Sequence, residues 1–198
     1  ALLDRFCAPL CEAVCQEEGE TLTGPAFLNW LQTSNLLLIR LDDRGEWFRF
    51  HHLFQKHLQT QLERQLDDEG RAAHHQRASR WLAQNGWIDE AIQHALAAGD
   101  TVMAVGLVAQ HRHRLMNEDR WNQLEKWLRL FPDEVVTNDP TLSITEVHLA
   151  FIRGRNAVIL SSREQVKRLV AAMPVESSVA AEVRAEIALT DAIIGISM

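Results

Sequence analysis

One stretch, residues 36–62, constrains the fold more than any other because it carries the only clear β pattern in the chain. Two short apolar runs, residues 36–41 and 47–50, flank a polar turn at residues 42–45. Apolar runs on both sides of a turn that contains glycine are typical of a β-hairpin. The following apolar residues recur every four positions, which is the spacing of one helical face, with Leu53 beside them: Phe50, Phe54, Leu58 and Leu62. The stretch predicts a hairpin, about residues 36–50, that leads directly into an amphipathic helix.

The rest of the chain has the periodicity of helices. Helical patterns precede the hairpin at residues 4–16 and from Gly24, where the following proline suits a first turn. Helix, helix, hairpin and helix together match the content of a winged-helix fold. From residue 69 onwards, helical segments of ~12–18 residues are separated by brief breaks. We therefore predict a mainly α protein, with a winged-helix-like module at residues 1–68 and antiparallel helical pairs at residues 69–198 that form a TPR-like α-solenoid.

The two ends of the sequence have the character of internal positions. The chain begins at Ala1 without a methionine, and it ends inside an apolar, helix-like run at residues 193–196. We therefore expect a segment of a longer protein, in which the helical-repeat part is truncated at its C-terminus.

Charge and hydropathy argue against two classes of partner. The net charge is -7, and the 20 lysines and arginines are scattered rather than gathered into a basic patch. Binding to nucleic acid would require such a patch to offset phosphate repulsion, so no nucleic acid is expected on this segment. There is no apolar run of ~18 residues and no signal peptide pattern, so no membrane contact is expected and the predicted location is cytoplasmic.

The cysteines and histidines do not have the spacing of a metal site. Cys7, Cys11 and Cys15 follow one side of a predicted helix, whereas zinc ligands normally converge from separate elements. Cysteines four residues apart on a helix also form a disulfide only with difficulty. We interpret them as small core residues of a reduced, cytosolic protein. The nine histidines include adjacent pairs that point in different directions and no HExxH motif. No metal is predicted, and a cytosolic metalloprotein is the third hypothesis.

Catalytic and nucleotide-binding motifs are absent from the sequence. There is no GxxxxGK[ST] loop, no GxGxxG and no GxSxG. The adjacent carboxylates at residues 42–43 and 67–68 lie in predicted turns, where solvated acidic residues are common. We therefore predict no catalytic residues and no cofactor for this segment, and no enzyme activity of its own.

His51 is the residue whose position suggests a specific chemistry. It lies between the apolar end of the hairpin and the start of the predicted helix. A helix N-terminus presents free N–H groups and a partial positive charge, and an imidazole there adds a further donor. This arrangement suits an anion, such as the β-phosphate of a nucleotide held mainly by another domain. The alternative is a core or capping histidine, and the local pattern alone favours that alternative.

Residues 41–58, LDDRGEWFRFHHLFQKHL, resemble the winged-helix segment of the large ATP-dependent LuxR-type transcription regulators, the MalT-like group. The resemblance continues in LLDRFCAPLCEAV at residues 2–14 and in RASRWLAQNGWIDEAIQHALAAGD at residues 77–100. It extends to LEKWLRLFPDEVVTNDPTLSI at residues 124–144, so it covers about residues 2–145. The run that contains HHLF is its most specific part.

This resemblance implies a multidomain protein that binds ATP or ADP. An N-terminal ATPase domain would precede residue 1, and a DNA-binding helix-turn-helix domain would follow the TPR-like sensor. Both domains would be partners of this segment, together with an unknown inducer or partner protein.

The resemblance also assigns a role to one residue. In the similar nucleotide-binding immune receptors, a winged-helix Met-His-Asp motif places its histidine on the ADP β-phosphate. His51 takes that position here, with His52 in place of the aspartate and with Trp47 and Phe50 as further supporting residues. The alternative function is a helical scaffold for protein–protein interaction without a nucleotide role.

Overall fold

The fold of the chain, a computed structural model that describes residues 1–15, 23–34 and 36–196, is helical apart from one hairpin. Its elements are, in order, α1 (Ala8–Cys15), α2 (Gly24–Thr33), β1 (Leu38–Arg40), β2 (Phe48–Phe50), α3 (His52–Gln65), α4 (Asp68–Gln84), α5 (Ile88–Ala97), α6 (Thr101–Asn117), α7 (Trp121–Leu128), α8 (Asp133–Asn138), α9 (Pro140–Ile152), α10 (Asn156–Ala172) and α11 (Ser178–Ile196). This confirms the predicted mainly α class with one hairpin. Two compact units divide the chain, unit 1 at Ala1–Thr101 and unit 2 at Val102–Met198.

The hairpin has the register that the sequence pattern requires. Leu38 pairs with Phe50 and Arg40 with Phe48 across antiparallel strands. The turn is held by Asp42, whose carboxylate accepts the amide hydrogens of Glu46 and Trp47 at 2.9 and 3.3 Å. Gly45 takes a φ of 69° in this turn, a backbone conformation that favours glycine. A tight turn of this kind fixes which side chains of β2 face the core.

The core of unit 1 forms around β2. Phe48 exchanges two backbone hydrogen bonds with Phe6, at 2.8 and 2.9 Å, so the segment before α1 lies along the outer side of the hairpin. Phe6, Phe48 and Phe50 are all buried, and the ring of Phe6 lies 6.4 Å from that of Phe48 and 4.8 Å from that of Phe50, centroid to centroid. Alternation along β2 therefore places Phe48 and Phe50 inside and Arg49 outside.

Helices α4 and α5 pack on this core as an antiparallel pair. His74 on α4 contacts the carbonyl oxygen of Val14 through Nδ1 at 2.9 Å, and Ser79 donates to the carbonyl of Ala91 at 2.8 Å. Unit 1 thus contains α4 and α5 as well as the hairpin and the first three helices. The module boundary predicted after residue 68 divides the chain by its sequence pattern rather than by its contacts. It stays a prediction.

Two residues of unit 1 differ from their predicted environment. Cys7 and Cys11 are buried as expected, but Cys15 is exposed because it is the last residue of α1. Leu53 is 64% exposed rather than part of the apolar face of α3. It lies in the first turn of that helix, where the side chains of Phe50 and Phe54 already cover the core, with ring centroids 5.4 Å apart.

Unit 2 is organised around α9, which packs against α7, α8, α10 and α11. Asp139 caps the start of α9 by accepting the amide hydrogen of Leu142 at 2.9 Å, with Pro140 in the first turn. Its buried residues form one apolar cluster with those of α10 and α11: Ile144, Val147, Ala150, Ile159, Val166, Val170, Ala180, Val183 and Ile187. In the described part of the chain, no helix is both long and apolar enough to cross a membrane.

A pair of histidines makes the packing of α4 on α5 sensitive to acid. The Nδ1 atoms of His75 and His94 lie 2.7 Å apart, a hydrogen bond in which one ring donates and the other ring, which must be neutral, accepts. Burial, with His75 alongside, lowers the pKa of His94 to about 4. Burial likewise lowers the pKa of His75. Both imidazoles are therefore held in their neutral forms in the folded protein.

We expect the stability of unit 1 to fall as the pH is lowered from 7 towards 4. The unfolded chain takes up a proton on His94 near pH 6.5, whereas the folded chain resists it until about pH 4. This contribution to the free energy of unfolding is fully present above the pKa of the unfolded chain and is lost as the pH falls. At roughly 1.4 kcal/mol per pKa unit, the loss is about 3 kcal/mol. Urea unfolding of the wild type and of His94→Gln at pH 7 and pH 4.5 measures this difference. The exposed His57→Gln variant is the control, and a pH dependence shared by all three proteins contradicts the assignment.

Candidate functional site

His51 occupies the N-cap position of α3, directly after β2. Its amide donates to the carbonyl oxygen of Leu37 at 2.9 Å, and its own carbonyl accepts from the amide of Gln55 at 2.9 Å. Its side chain makes no capping hydrogen bond, and the residue is half-buried rather than part of the core. The backbone of His51 therefore starts the helix, while its imidazole makes no capping hydrogen bond.

The surface around His51 has the electrostatics of a helix N-terminus that its own sequence does not neutralise. The first turn of α3 contains no acidic residue of its own, and the acidic side chain of Asp4 accepts a hydrogen bond from the Gln55 side chain there at 3.2 Å. The exposed imidazole of His52 lies beside that of His51, with ring centroids 4.4 Å apart. The two rings and the first amides of α3 are together able to donate hydrogen bonds to an anion. That His51 binds a phosphate stays a prediction.

Phe50 and Trp47, the supporting residues, anchor the strand that carries His51. The ring of Phe50 is buried between Phe6 and Phe54, at centroid distances of 4.8 and 5.4 Å. Rigid packing of the residue immediately before His51 holds the helix start in place.

The ring of Trp47 ties the hairpin to α4 and α5. It meets the rings of Trp87 and Trp81 edge to face, at centroid distances of 5.2 and 6.4 Å. The guanidinium of Arg5 lies 3.9 Å from the centroid of Trp87 and 5.1 Å from that of Trp47, and it also pairs with Glu90. These are cation–π contacts. These contacts of Arg5 could not be predicted from the sequence, because its partners are more than 40 residues away and no local spacing indicates them.

Unit 2 contains a second polar cluster that the sequence analysis missed. Arg112 on α6 is almost fully buried, at 1% exposure, and forms ion pairs with Glu182 and Glu186 on α11. His113 approaches the same two carboxylates, and His148 on α9 faces Glu186. Since these residues are up to 74 positions apart, their assembly depends on the packing of three helices.

Unit 2 has a groove with a volume of about 410 Å³ and a mixed polar and apolar lining. Apolar side chains of α7, α8 and α9 line it together with charged side chains. Glu125, the most shielded of these, forms ion pairs with Arg129, Arg153 and Arg155, at 2.9 to 3.2 Å. Such a groove is able to hold a small polar molecule or a peptide side chain.

Comparisons with known proteins place unit 1 in a family. The family model described as the MalT winged helix domain matches residues 1–70. The chain is 32% identical over 171 residues to the HTH-type transcriptional regulator MalT of Cronobacter sakazakii, an alignment that covers 84% of this chain and 18% of that protein. It is 31% identical over 187 residues to the serine/threonine-protein kinase PknK of Mycobacterium tuberculosis, covering 94% of this chain and 16% of that protein.

The match to the family model coincides with the described elements of the winged helix. It includes α1, α2, the hairpin and the whole of α3, and it therefore contains His51, His52, Trp47 and Phe50. The chain spans less than a fifth of the length of the curated relatives that it matches. The matched helices, the hairpin and the two alignments lead to the same assignment. Residues 1–70 of the chain are a winged helix domain of the MalT family.

Proposed function

We propose that this segment couples the nucleotide state of an ATPase domain elsewhere in a longer protein to sensing by the helices that follow the winged helix. The segment itself is regulatory rather than catalytic. In the ADP-bound protein, His51 contacts the β-phosphate and holds a closed, inactive state. An inducer or partner protein that binds the helical part, with exchange of ADP for ATP, releases this contact. Bound ligands bias such a switch through their different contacts in the two states.

The observation that carries this proposal is the position of the His51 imidazole at the start of a helix whose first turn contains no acidic residue. Hydrogen bonds to Leu37 and Gln55 at 2.9 Å fix the backbone of His51 at this position. The neighbouring ring of His52 and the absence of acidic residues in the first turn of α3 favour an anionic ligand.

The names of the two relatives support a regulatory role that does not depend on whether the rest of the protein acts in transcription or as a kinase. One is named a transcriptional regulator and the other a protein kinase, yet each aligns with most of this chain. A segment that is shared by a transcriptional regulator and a protein kinase is better explained as a regulatory switch than as part of either activity. For the present protein we propose the transcriptional output, with a DNA-binding domain beyond this segment.

The groove of unit 2 supports the sensing half of the proposal. Its apolar floor and its ring of arginine and carboxylate side chains combine the two features of small-molecule sites, a concave apolar surface and a few fixed polar groups. The same features suit a side chain from a protein partner, and a helical scaffold without a nucleotide role is the second candidate function. The nucleotide experiment below distinguishes the two, because a scaffold predicts no effect of His51.

We expect the full-length protein with His51→Ala to retain much less ADP through purification than the wild type. Loss of a charge-assisted hydrogen bond to phosphate corresponds to roughly 1.5–3 kcal/mol, or about a 10- to 100-fold weaker affinity. Nucleotide extracted from the purified proteins and separated by chromatography measures the retained ADP. His57→Ala, at an exposed position on the same helix, is the matched control. ADP occupancy equal in all three proteins contradicts the proposal and favours the scaffold.

A further inference from the structure

The second polar cluster lies where α6, α9 and α11 meet, and the proposed nucleotide switch does not use it. It consists of Arg112 and His113 on α6, His148 on α9, and Glu182 and Glu186 on α11. Glu182 and Glu186 are one helical turn apart, so both carboxylates project from the same side of α11. Two imidazoles and two carboxylates thus face one another, contributed by three helices.

The cluster holds two carboxylates for one guanidinium. Arg112 is a single cation, and it is shared between the carboxylates of Glu182 and Glu186. Hydrogen bonds from His113 and then from Arg112 lower the pKa of Glu182, so its carboxylate is ionised at neutral pH. A partly buried site of this kind attracts a cation.

His148 provides a second and independent observation. Its Nδ1 atom is buried and has no hydrogen-bond partner among the described residues, although it lies 3.6 Å from Oε2 of Glu186. Burial lowers the pKa of His148, although Glu186 acts in the opposite direction, so the ring is neutral at physiological pH. A buried ring nitrogen without a partner is rare in folded proteins, because the lost hydrogen bond is costly. The nitrogen is directed at the carboxylates rather than at apolar side chains.

The candidate ligand atoms of His113, Glu182 and Glu186 are near the spacing of a zinc site, and the shortest separation is that of a hydrogen bond. Nε2 of His113 lies 2.8 Å from Oε1 of Glu182 and 3.4 Å from Oε1 of Glu186. Bonds of about 2.0–2.1 Å in tetrahedral geometry place ligand atoms about 3.3 Å apart. The ligand atoms of His113, Glu182 and Glu186 all lie within 4.8 Å of one another. His113 and Glu182 are half exposed, so small rotations of these two side chains towards the largely buried Glu186 are enough to bring the three groups to one ion.

We propose that His113, Glu182 and Glu186 form a binding site for a divalent transition metal ion of the zinc class, with His148 next to Glu186 as a further candidate ligand. Imidazole nitrogens with carboxylate oxygens favour zinc over magnesium, which prefers an all-oxygen shell that retains water. His113 and Glu182 are 49% and 52% exposed, which gives the ion a path from solvent. Bound metal joins α6 and α9 to α11 and stabilises unit 2.

Residue-resolved NMR of the 198-residue chain tests the site directly. We expect the imidazole resonances of His113 and His148 to shift on addition of one equivalent of ZnCl₂, and not on addition of MgCl₂. Excess zinc also raises the unfolding temperature, because a ligand that binds only the folded state stabilises it. The histidine resonances separate this site from zinc bound to cysteines or to the His75–His94 pair.

Substitutions then assign the ligands. His113→Ala and Glu182→Gln, both at half-exposed positions, are each expected to weaken zinc binding at this site at least about 10-fold. His111→Ala, on the same helix, is the matched control and is expected to bind zinc like the wild type. Zinc-induced shifts of His148 that persist unchanged in both variants overturn the proposal. So does a wild-type protein whose His113 and His148 resonances respond to pH but not to zinc, since the cluster then exchanges only protons.

Discussion

Arg112→Met is expected to destabilise unit 2 by about 3–5 kcal/mol, the usual cost of removing one partner of a buried ion pair. The guanidinium is 1% exposed and donates to both oxygens of Glu186 and to Glu182. Glu186 is itself only 13% exposed, so without Arg112 its carboxylate remains buried and uncompensated. Hydrogen–deuterium exchange resolved by peptide measures the effect in α6 and α11, where protection is expected to fall, separately from unit 1.

Arg114→Met is the matched control for this prediction. Arg114 is on the same helix and pairs with Glu118 at 2.9 Å, but both side chains are exposed. Exposed ion pairs of this type contribute about 0.3–0.5 kcal/mol to stability, so we expect Arg114→Met to change the stability of unit 2 very little. The double variant Arg112→Met, Glu186→Leu is expected to recover part of the lost stability, because it removes the unpaired carboxylate together with its partner. Equal effects of Arg112→Met and Arg114→Met contradict the account of the cluster.

Gly24→Ala is expected to destabilise unit 1 by about 3 kcal/mol, since the added methyl group has no space. A Cβ atom on Gly24 would lie 2.2 Å from the carbonyl oxygen of Ala8, and the contacted atoms belong to the backbone of α1. Relief therefore requires α1 and α2 to separate, which also strains the hydrogen bond of 2.7 Å from the amide of Gly24 to Glu12. Overpacking typically costs about 1–3 kcal/mol, and a backbone obstacle places this case at the upper end. Urea unfolding of the wild type and of Gly24→Ala measures this loss of stability.

Gly106→Ala serves as the control, with an expected effect of opposite sign. Gly106 lies inside α6, and a Cβ atom there meets nothing within 4 Å. Alanine in a helix interior is favoured over glycine by about 0.5–1 kcal/mol, so this variant is expected to be more stable than the wild type. A stabilising or neutral Gly24→Ala would show that α1 and α2 are not packed as closely as described.

Local patterns in the sequence were sufficient to predict the elements that form the winged helix. The turn at residues 42–45 and the alternation of residues 47–50 specify the hairpin, which the register Leu38 to Phe50 confirms. The spacing of apolar residues specifies most helices, because amphipathic periodicity reflects a buried face. It failed at Cys15 and Leu53, which are exposed because they lie in the last and first turns of their helices.

The polar clusters could not be predicted, because none of them is local in sequence. Arg112 appears in the sequence as an ordinary charged residue of α6, yet its carboxylate partners are 70 and 74 residues away. His94 occupies a polar position of α5, and its contact with His75 depends on how α4 and α5 pack. In both cases the helix containing the residue was predictable, but its neighbours across the interface were not. The position of His51 at a helix start could be predicted because its signal, a histidine between a strand and a helix, is local.

The dissociation of ADP from the full-length protein tests the central claim most directly. His51→Ala is expected to accelerate the release of fluorescently labelled ADP at least about 10-fold, as for loss of one charge-assisted hydrogen bond. The release of labelled ATP is expected to stay within about 2-fold of the wild type, since the histidine contacts the nucleotide only in the closed state. His57→Ala is expected to leave both rates unchanged. Equal acceleration of ADP and ATP release, or no acceleration of either, contradicts a role for His51 in sensing the nucleotide state.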